Sequence, residues 1–453
     1  MQKSLNRVQE AFLRLVHNRA YSHAYNALKQ MHPADLAQLL PYLQEREQQW
    51  FVETLLKTRK LGGVISELDE NKVLEFLELV PQEEFVKVLE EINADDAADL
   101  IAGLPEGQRQ EIFERLSGSQ KKAVGKLLGY APDTAGGIMS PEFVSMEQTL
   151  TVGEAIDQLR AKASGEKEEI YNIYICDADD QLVGVVSFRD LVLSPPDKTL
   201  QDIMERNPVA VRPHANQELV ADMIARYNLL SVPVIDENHR LIGRITVDDA
   251  IDVLKEEATE DIYHLGNLAQ EDHISTPVWT SAKPRALWLL INLGTAVLAA
   301  ATISLFSETI SRFVILAALM PIVSGMGGNA GTQSLTVVVR GLALGEVDWS
   351  LALKVIWKEL AVGLFNGVII GAVIGVLTYL WYHNLTLAMV MVLAMVGNLI
   401  IAALAGAFIP LLLRKLRQDP ALASSIFVTT ATDVGGFLLF LGLSTIFIKL
   451  IIS

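Results

Sequence analysis

Pro321-Ile322-Val323-Ser324-Gly325-Met326-Gly327-Gly328-Asn329-Ala330-Gly331-Thr332-Gln333-Ser334 lies inside an apolar tract, 313–339, and its reading decides the fold. The tract is long enough to cross a bilayer, for which roughly 20 residues suffice. Glycine at this density predicts a break in the helix, which is tolerated at membrane depth only where backbone is buried against protein or lines water. Close packing through small residues explains the glycines, but not Asn329, Thr332 and Gln333 together. Working outward, apolar stretches of similar length occur at 286–306, 360–382, 385–413 and 421–448. The rear of the chain, 284–453, therefore reads as a five-span α-helical membrane domain in a lipid bilayer.

The charge distribution supports that division. The chain carries 37 Lys and Arg against 54 Asp and Glu. Residues 274–453 hold ten basic and six acidic residues, so the front carries a net charge of −21. Such an acidic front argues against nucleic acid as a partner, because phosphates demand a basic footprint. It suits cations, or simply solubility. Residues 1–19 are polar and charged, which predicts no secretory signal. Cys176 is the single cysteine, which excludes a disulfide framework.

Flanking charge predicts the topology. Lys283, Arg285, Arg340, Lys354, Lys358, Arg414, Lys415 and Arg417 fall on one side, against Arg312 and Lys449 on the other. The side richer in Lys and Arg is expected in the cytosol. The front is then cytosolic, the C-terminus outside, and the protein a multi-pass protein of a prokaryotic plasma membrane.

The fifth stretch contains Thr429-Thr430-Ala431-Thr432-Asp433-Val434-Gly435-Gly436. Asp433 reads as the only acidic residue deep within a span, with no basic residue comparably deep. An intramembrane carboxylate is a functional candidate by default. With hydroxyls beside it and no His or Cys nearby, it suits a hard cation such as Mg²⁺ or Ca²⁺. One carboxylate per chain is thin for a dication, and a homodimer with the pore on its twofold axis would supply two.

Residues 1–132 read as an all-α domain of stacked helical hairpins, with Pro41, Pro81 and Pro105 each opening a helix. The α/β region that follows is duplicated. Strands 171–175 and 182–186, and again 231–235 and 241–245, form hairpins preceded by helices. Each copy opens on Ile-Met, at Ile138-Met139-Ser140-Pro141 and Ile203-Met204. Each closes on a Gly-x-x-Ser/Thr-x-x-Asp pattern, Gly184…Ser187…Asp190 and Gly243…Thr246…Asp249. These features resemble a tandem pair of CBS domains, 133–200 and 201–256. The CBS resemblance implies that Ser187 and Thr246 meet a nucleotide phosphate, with Asp190 and Asp249 on ribose hydroxyls and ATP as the expected nucleotide. The alternative is that each Ser or Thr caps the next helix.

Together the glycine-rich run, Thr-Asp-Val-Gly-Gly, five spans, CBS pair and helical front resemble the MgtE family of magnesium transporters over the whole chain. The resemblance implies a homodimeric, channel-like Mg²⁺ importer closed when cytosolic Mg²⁺ is plentiful. It places Asp433 in the pore with Thr429 near the same ion and Asn329 opposite, and a plug helix in 257–283.

The carboxylates of the front fit a sensor. Asp95 and Asp99 are four apart on one helix face, and Asp249, Asp252, Glu256 and Glu260 form one stripe, with Glu257 and Asp261 beside it. Like charges so spaced repel unless cations arrive. Asp419 is placed to share an ion with Glu257 or Glu260, and Gly137 and Glu218 complete the expected sensor set. Asn216 and Asn228 stand where acidic residues would suit such a sensor. The eight histidines show no ligand spacing. Two other readings are a secondary transporter for divalent cations such as Mg²⁺ and Co²⁺, and a nucleotide-sensing regulator on a membrane anchor. The chain has no nucleophile–base pairing or P-loop, so an enzyme is not expected.

Overall fold

The computed structural model describes residues 7–68, 70–77, 79–162, 170–266, 268, 272, 276, 278–347, 349–416, 418–421 and 424–452. Arg417 and His273 lie outside the described residues. The chain divides into two units, Met1–Lys255 and Glu256–Ser453.

The first unit begins with short helices from Arg7–His17 to Gly118–Leu127. Pro81 and Pro105 stand immediately before the helices Gln82–Glu91 and Glu106–Arg115. The missing N–H of proline is harmless there. Individually these helices are too short to be stable in water. Their apolar stripes close one core containing Phe12, Phe51, Leu55, Leu89 and Ile101, which runs on into residues of the second CBS copy.

The duplicated region contains the expected hairpins, Asn172–Cys176 with Leu182–Ser187 and Ser231–Ile235 with Leu241–Thr246, both antiparallel. The openings of the two copies are exchanged. Ser140, from the first opening, exchanges both backbone hydrogen bonds with Arg244 of the second hairpin. Glu205 and Arg206, after the second opening, pair with Val185 and Gly184 of the first hairpin. The repeated glycines make this possible. A Cβ at Gly243 would lie 2.6 Å from the Met139 sulfur, and one at Gly184 would overlap Met204. Each glycine thus clears a seat for the methionine of the other copy's opening.

In the second unit five helices are long and apolar enough to cross a membrane: Val278–Ser304, Ile315–Ala343, Ala352–Tyr382, Leu385–Lys415 and Ser424–Ile446. They are called the first to fifth membrane helices here. The fourth is central, packing against the second, third and fifth. Gly363, Gly367, Gly371 and Gly375 line the buried face of the third. A Cβ at Gly367 would stand 3.0 Å from the Val396 backbone, so the two helices approach closely.

The expected break in the second membrane helix does not occur, for Ile315–Ala343 is one helix with Pro321 inside it. Without water to satisfy freed backbone groups, an intact helix is the cheapest state in hydrocarbon. The glycines act through packing instead: Gly327 and Gly331 are buried, with Asn398 and Val428 where their Cβ atoms would be.

Candidate ion site of the membrane unit and the carboxylate clusters

In the membrane unit the Ser324 hydroxyl of the second helix donates to Oδ1 of Asp433 in the fifth. Asp433 is half-buried and, among the described residues, has no ion-pair partner. Thr429 lies one turn earlier, exposed, its hydroxyl bonded back to the Ser425 carbonyl at 2.8 Å. Asn329, Thr332 and Gln333 are exposed on the face of the second helix opposite the buried glycines. No described hydrogen bond joins Asn329 to Asp433. A polar face on an isolated membrane subunit is costly in lipid unless water or another subunit covers it.

Glu359 and Asn398 are buried polar residues that the sequence reading did not single out. Asp433 is not the only carboxylate inside a span. Glu359 is 4% exposed within the third membrane helix. It accepts from the Ser334 hydroxyl at 2.8 Å and pairs with Lys358 at 3.0 Å. The helix starts at Ala352 rather than at 360, which carries Glu359 inwards. Asn398 in the fourth helix is wholly buried and donates Nδ2 to the Val323 carbonyl at 2.8 Å. Among the described residues its Oδ1 has no partner. It is the only amide in the fourth apolar stretch, and that was the available signal.

In the first unit the helix Ala94–Ala102 presents Asp95 and Asp96 towards Asp248 and Asp249, at the start of the helix Val247–Leu265. Burial, then the charges of Asp249 and Asp96, push the Asp95 carboxyl up to about 7. Burial pushes Asp249 up to about 6, although Thr246 donates to it from its amide at 3.0 Å and its hydroxyl at 2.5 Å. Burial also raises Asp96, against a 3.0 Å hydrogen bond from Ser66. Asp96 and Asp248 thus join the expected pair, while Asp99 is exposed and Asp252 pairs with Lys255 at the surface.

Ser187 caps the helix Phe188–Leu193 and bonds to Asp190 at 2.6 Å, while at the second such end Thr246 donates to Asp249. A cavity of about 490 Å³ elsewhere in the unit is lined by Tyr130, Arg212, His214 and Asp236, and by none of the four residues expected to meet a nucleotide. Asn216 caps the helix Gln217–Tyr227, accepting from Glu218 N at 2.8 Å, and Asn228 ends it in the left-handed region. Both departures from an acidic pair therefore have structural work as caps. Gly137 turns tightly, since a Cβ there would sit 2.5 Å from the Ala131 carbonyl. The backbone beside it bonds to Pro213 and Ala215, just before Glu218.

In the second unit His264 sits between two expected sensor residues. Its Nδ1 bonds to Asp419, and its Nε2 lies 3.7 Å from Glu260. The histidines are thus not all bystanders; the i,i+4 spacing of Glu260 and His264 was visible, but the partner from 155 residues away was not. Burial raises Glu260 and Asp261, with Asp419 and Glu257 adding to the effect. Glu256 and Glu257 lie on the same helix. Among the described residues no group of three or more His, Cys, Asp or Glu is arranged to hold a metal ion.

Comparison with known proteins adds three matches to family models. A divalent cation transporter model, MgtE, matches residues 320–443, and an MgtE intracellular N domain matches 31–133. CBS domains match 135–195 and 200–256. The chain is 32% identical to the magnesium transporter MgtE of Bacillus subtilis (strain 168) over 423 residues, 93% of each chain. It is 35% identical to that of Thermus thermophilus over 431 residues, 93% of this chain and 94% of the other. The structure resembles that of the cytosolic domain of the Mg²⁺ channel MgtE in complex with ATP, with TM-score 0.50 and 34% identity. That match covers 56% of this chain and all of the other.

Proposed function

The chain belongs to the MgtE family of magnesium transporters, and from that premise we propose that it conducts Mg²⁺ into the cytosol through a pore centred on Asp433. The observation that carries the reading is the half-buried Asp433 carboxylate, held by a neutral hydroxyl and, among the described residues, by no cation. A charge so placed is costly in hydrocarbon until a cation meets it. Mg²⁺ sheds its waters reluctantly, so the carboxylate would hold it largely through its hydration shell. Thr429 and Asn329 lie on exposed polar faces that a homodimer would turn towards a shared, hydrated axis. With the basic flanks inside, the front is cytosolic.

The pore closes when cytosolic Mg²⁺ binds the carboxylates of the front. Asp95 and Asp249, with Asp96 and Asp248, repel one another in a partly dry contact, and a dication would reverse that repulsion. Glu257, Glu260, Asp261 and Asp419 form the corresponding cluster beside the membrane helices. Asp99, Gly137, Glu218, Asp252 and Glu256 are proposed as accessory ligands. ATP is proposed at the CBS pair through Ser187, Asp190, Thr246 and Asp249, on the strength of the ATP-bound relative. The central test is Mg²⁺ uptake by a transport-deficient cell carrying the intact chain or Asp433→Ala. Uptake is expected to vanish in the variant, and parental uptake would remove Asp433 from the pore.

A further inference from the structure

Asn398 is wholly buried near the middle of a 31-residue helix, where an amide has no water to turn to. Its Nδ2 reaches across to the Val323 carbonyl at 2.8 Å, while its Oδ1 stays buried with no partner among the described residues. Leaving a polar atom unpaired is costly, so the residue asks for an explanation. The surrounding sequence is cut to fit it. A Cβ at Gly327 would overlap the Asn398 amide, and one at Gly436 would fall 2.8 Å from Nδ2. Gly327 is one turn from Ser324 on the second membrane helix, and Gly436 is one turn from Asp433 on the fifth. Val323, the residue Asn398 grips, is adjacent to Ser324. The amide is therefore wedged between the two helices whose register decides whether Ser324 meets Asp433.

We infer that Asn398 is the positioning residue of the Asp433 site: from the fourth helix it locks the second against the fifth, so that the Ser324 hydroxyl holds Oδ1. The glycines of both motifs are, on this view, the recess the amide needs. The inference rests on the reading of Asp433 as the ion site.

The experiment is Mg²⁺ and Ca²⁺ uptake by the full chain in proteoliposomes, with melting of the same protein in detergent. Asn398→Leu keeps the branching at Cγ, at some gain in volume, and removes the donor. It is expected to raise the half-saturating Mg²⁺ concentration about tenfold, as for loss of one hydrogen bond to a charged site, and to narrow the Mg²⁺ to Ca²⁺ ratio. Adding Ser324→Ala to it should change little further, because both act through one carboxylate. Gly327→Ala presses on the amide without removing it and should shift half-saturation the same way, which keeps the test open if Asn398→Leu fails to fold. Asp433→Ala is run alongside. If Asp433→Ala is inactive while Asn398→Leu and Gly327→Ala keep parental half-saturation and ion ratio, or combine additively with Ser324→Ala, the inference fails alone. If Asp433→Ala conducts normally, the ion-site reading fails and takes the inference with it.

Discussion

Ser324 of the second membrane helix donates its hydroxyl proton to Oδ1 of Asp433 in the fifth, joining residues 109 apart in sequence. The contact orients the carboxylate without neutralising it. Ser324→Ala is expected to preserve folding and maximal Mg²⁺ uptake while raising the half-saturating concentration about threefold to tenfold. Uptake measured across a Mg²⁺ concentration series checks this, and an unchanged curve would show that the hydroxyl does not tune the site.

Glu359 ties the third membrane helix to Ser334 of the second from a buried position. Glu359→Ala strips the partner from a buried hydroxyl and leaves a void, at a cost of about 3 kcal/mol. Glu359→Gln keeps an acceptor for Ser334 and should cost about 1 kcal/mol. Melting of the detergent-solubilised protein ranks them, and equal losses would discount the hydrogen bond.

Asp95 and Asp249 sit at about 7 and about 6, above the roughly 3.9 of an unfolded aspartate. A raised carboxyl favours the packed state when protonated. Without divalent ions the contact between the helices Ala94–Ala102 and Val247–Leu265 is therefore firmest near pH 4 and weakens as pH rises through 6 to 7. Hydrogen exchange of residues 94–102, corrected for intrinsic rates, should show protection falling over that range in EDTA. Millimolar Mg²⁺ should restore it at pH 8, and Asp95→Asn should flatten the pH dependence.

His264 bonds to Asp419 and stands beside Glu260, two residues proposed to bind sensor ions. As a competitor for their oxygens, it should raise the Mg²⁺ needed to occupy them. His264→Gln is then expected to lower the Mg²⁺ concentration at which residues 256–284 become protected from protease, about threefold for one weak ion pair. A rise in that concentration would instead make His264 part of the ion site.

Legibility followed the range of the interactions. Hairpins, spans and the CBS duplication depend on local pattern, and they emerged close to where the sequence placed them. The glycine run misled because a glycine that bends a helix and one that lets a helix pack closely are the same letter. Gly327 is resolved as the second kind only by Asn398, 71 positions away. Glu359 was missed because its charge and that of Lys358 resembled an ordinary cytosolic flank. Asp96 adjoins a chosen aspartate, and only its burial and its nearness to the exposed Asp248 single it out.

By itself the sequence determined that the chain has an acidic front and a five-span rear, that the α/β region is duplicated, and that Asp433 lies within an apolar span. Those properties follow from composition and short periodicities, which water and lipid act on directly. Only the tertiary structure decided that Ser324 serves Asp433, that Asn398 and Glu359 tie helices together inside the membrane, and that each CBS opening pairs with the other copy's hairpin. Those are hydrogen bonds and close contacts between distant segments, and their partners are chosen by packing geometry rather than by any spacing along the chain.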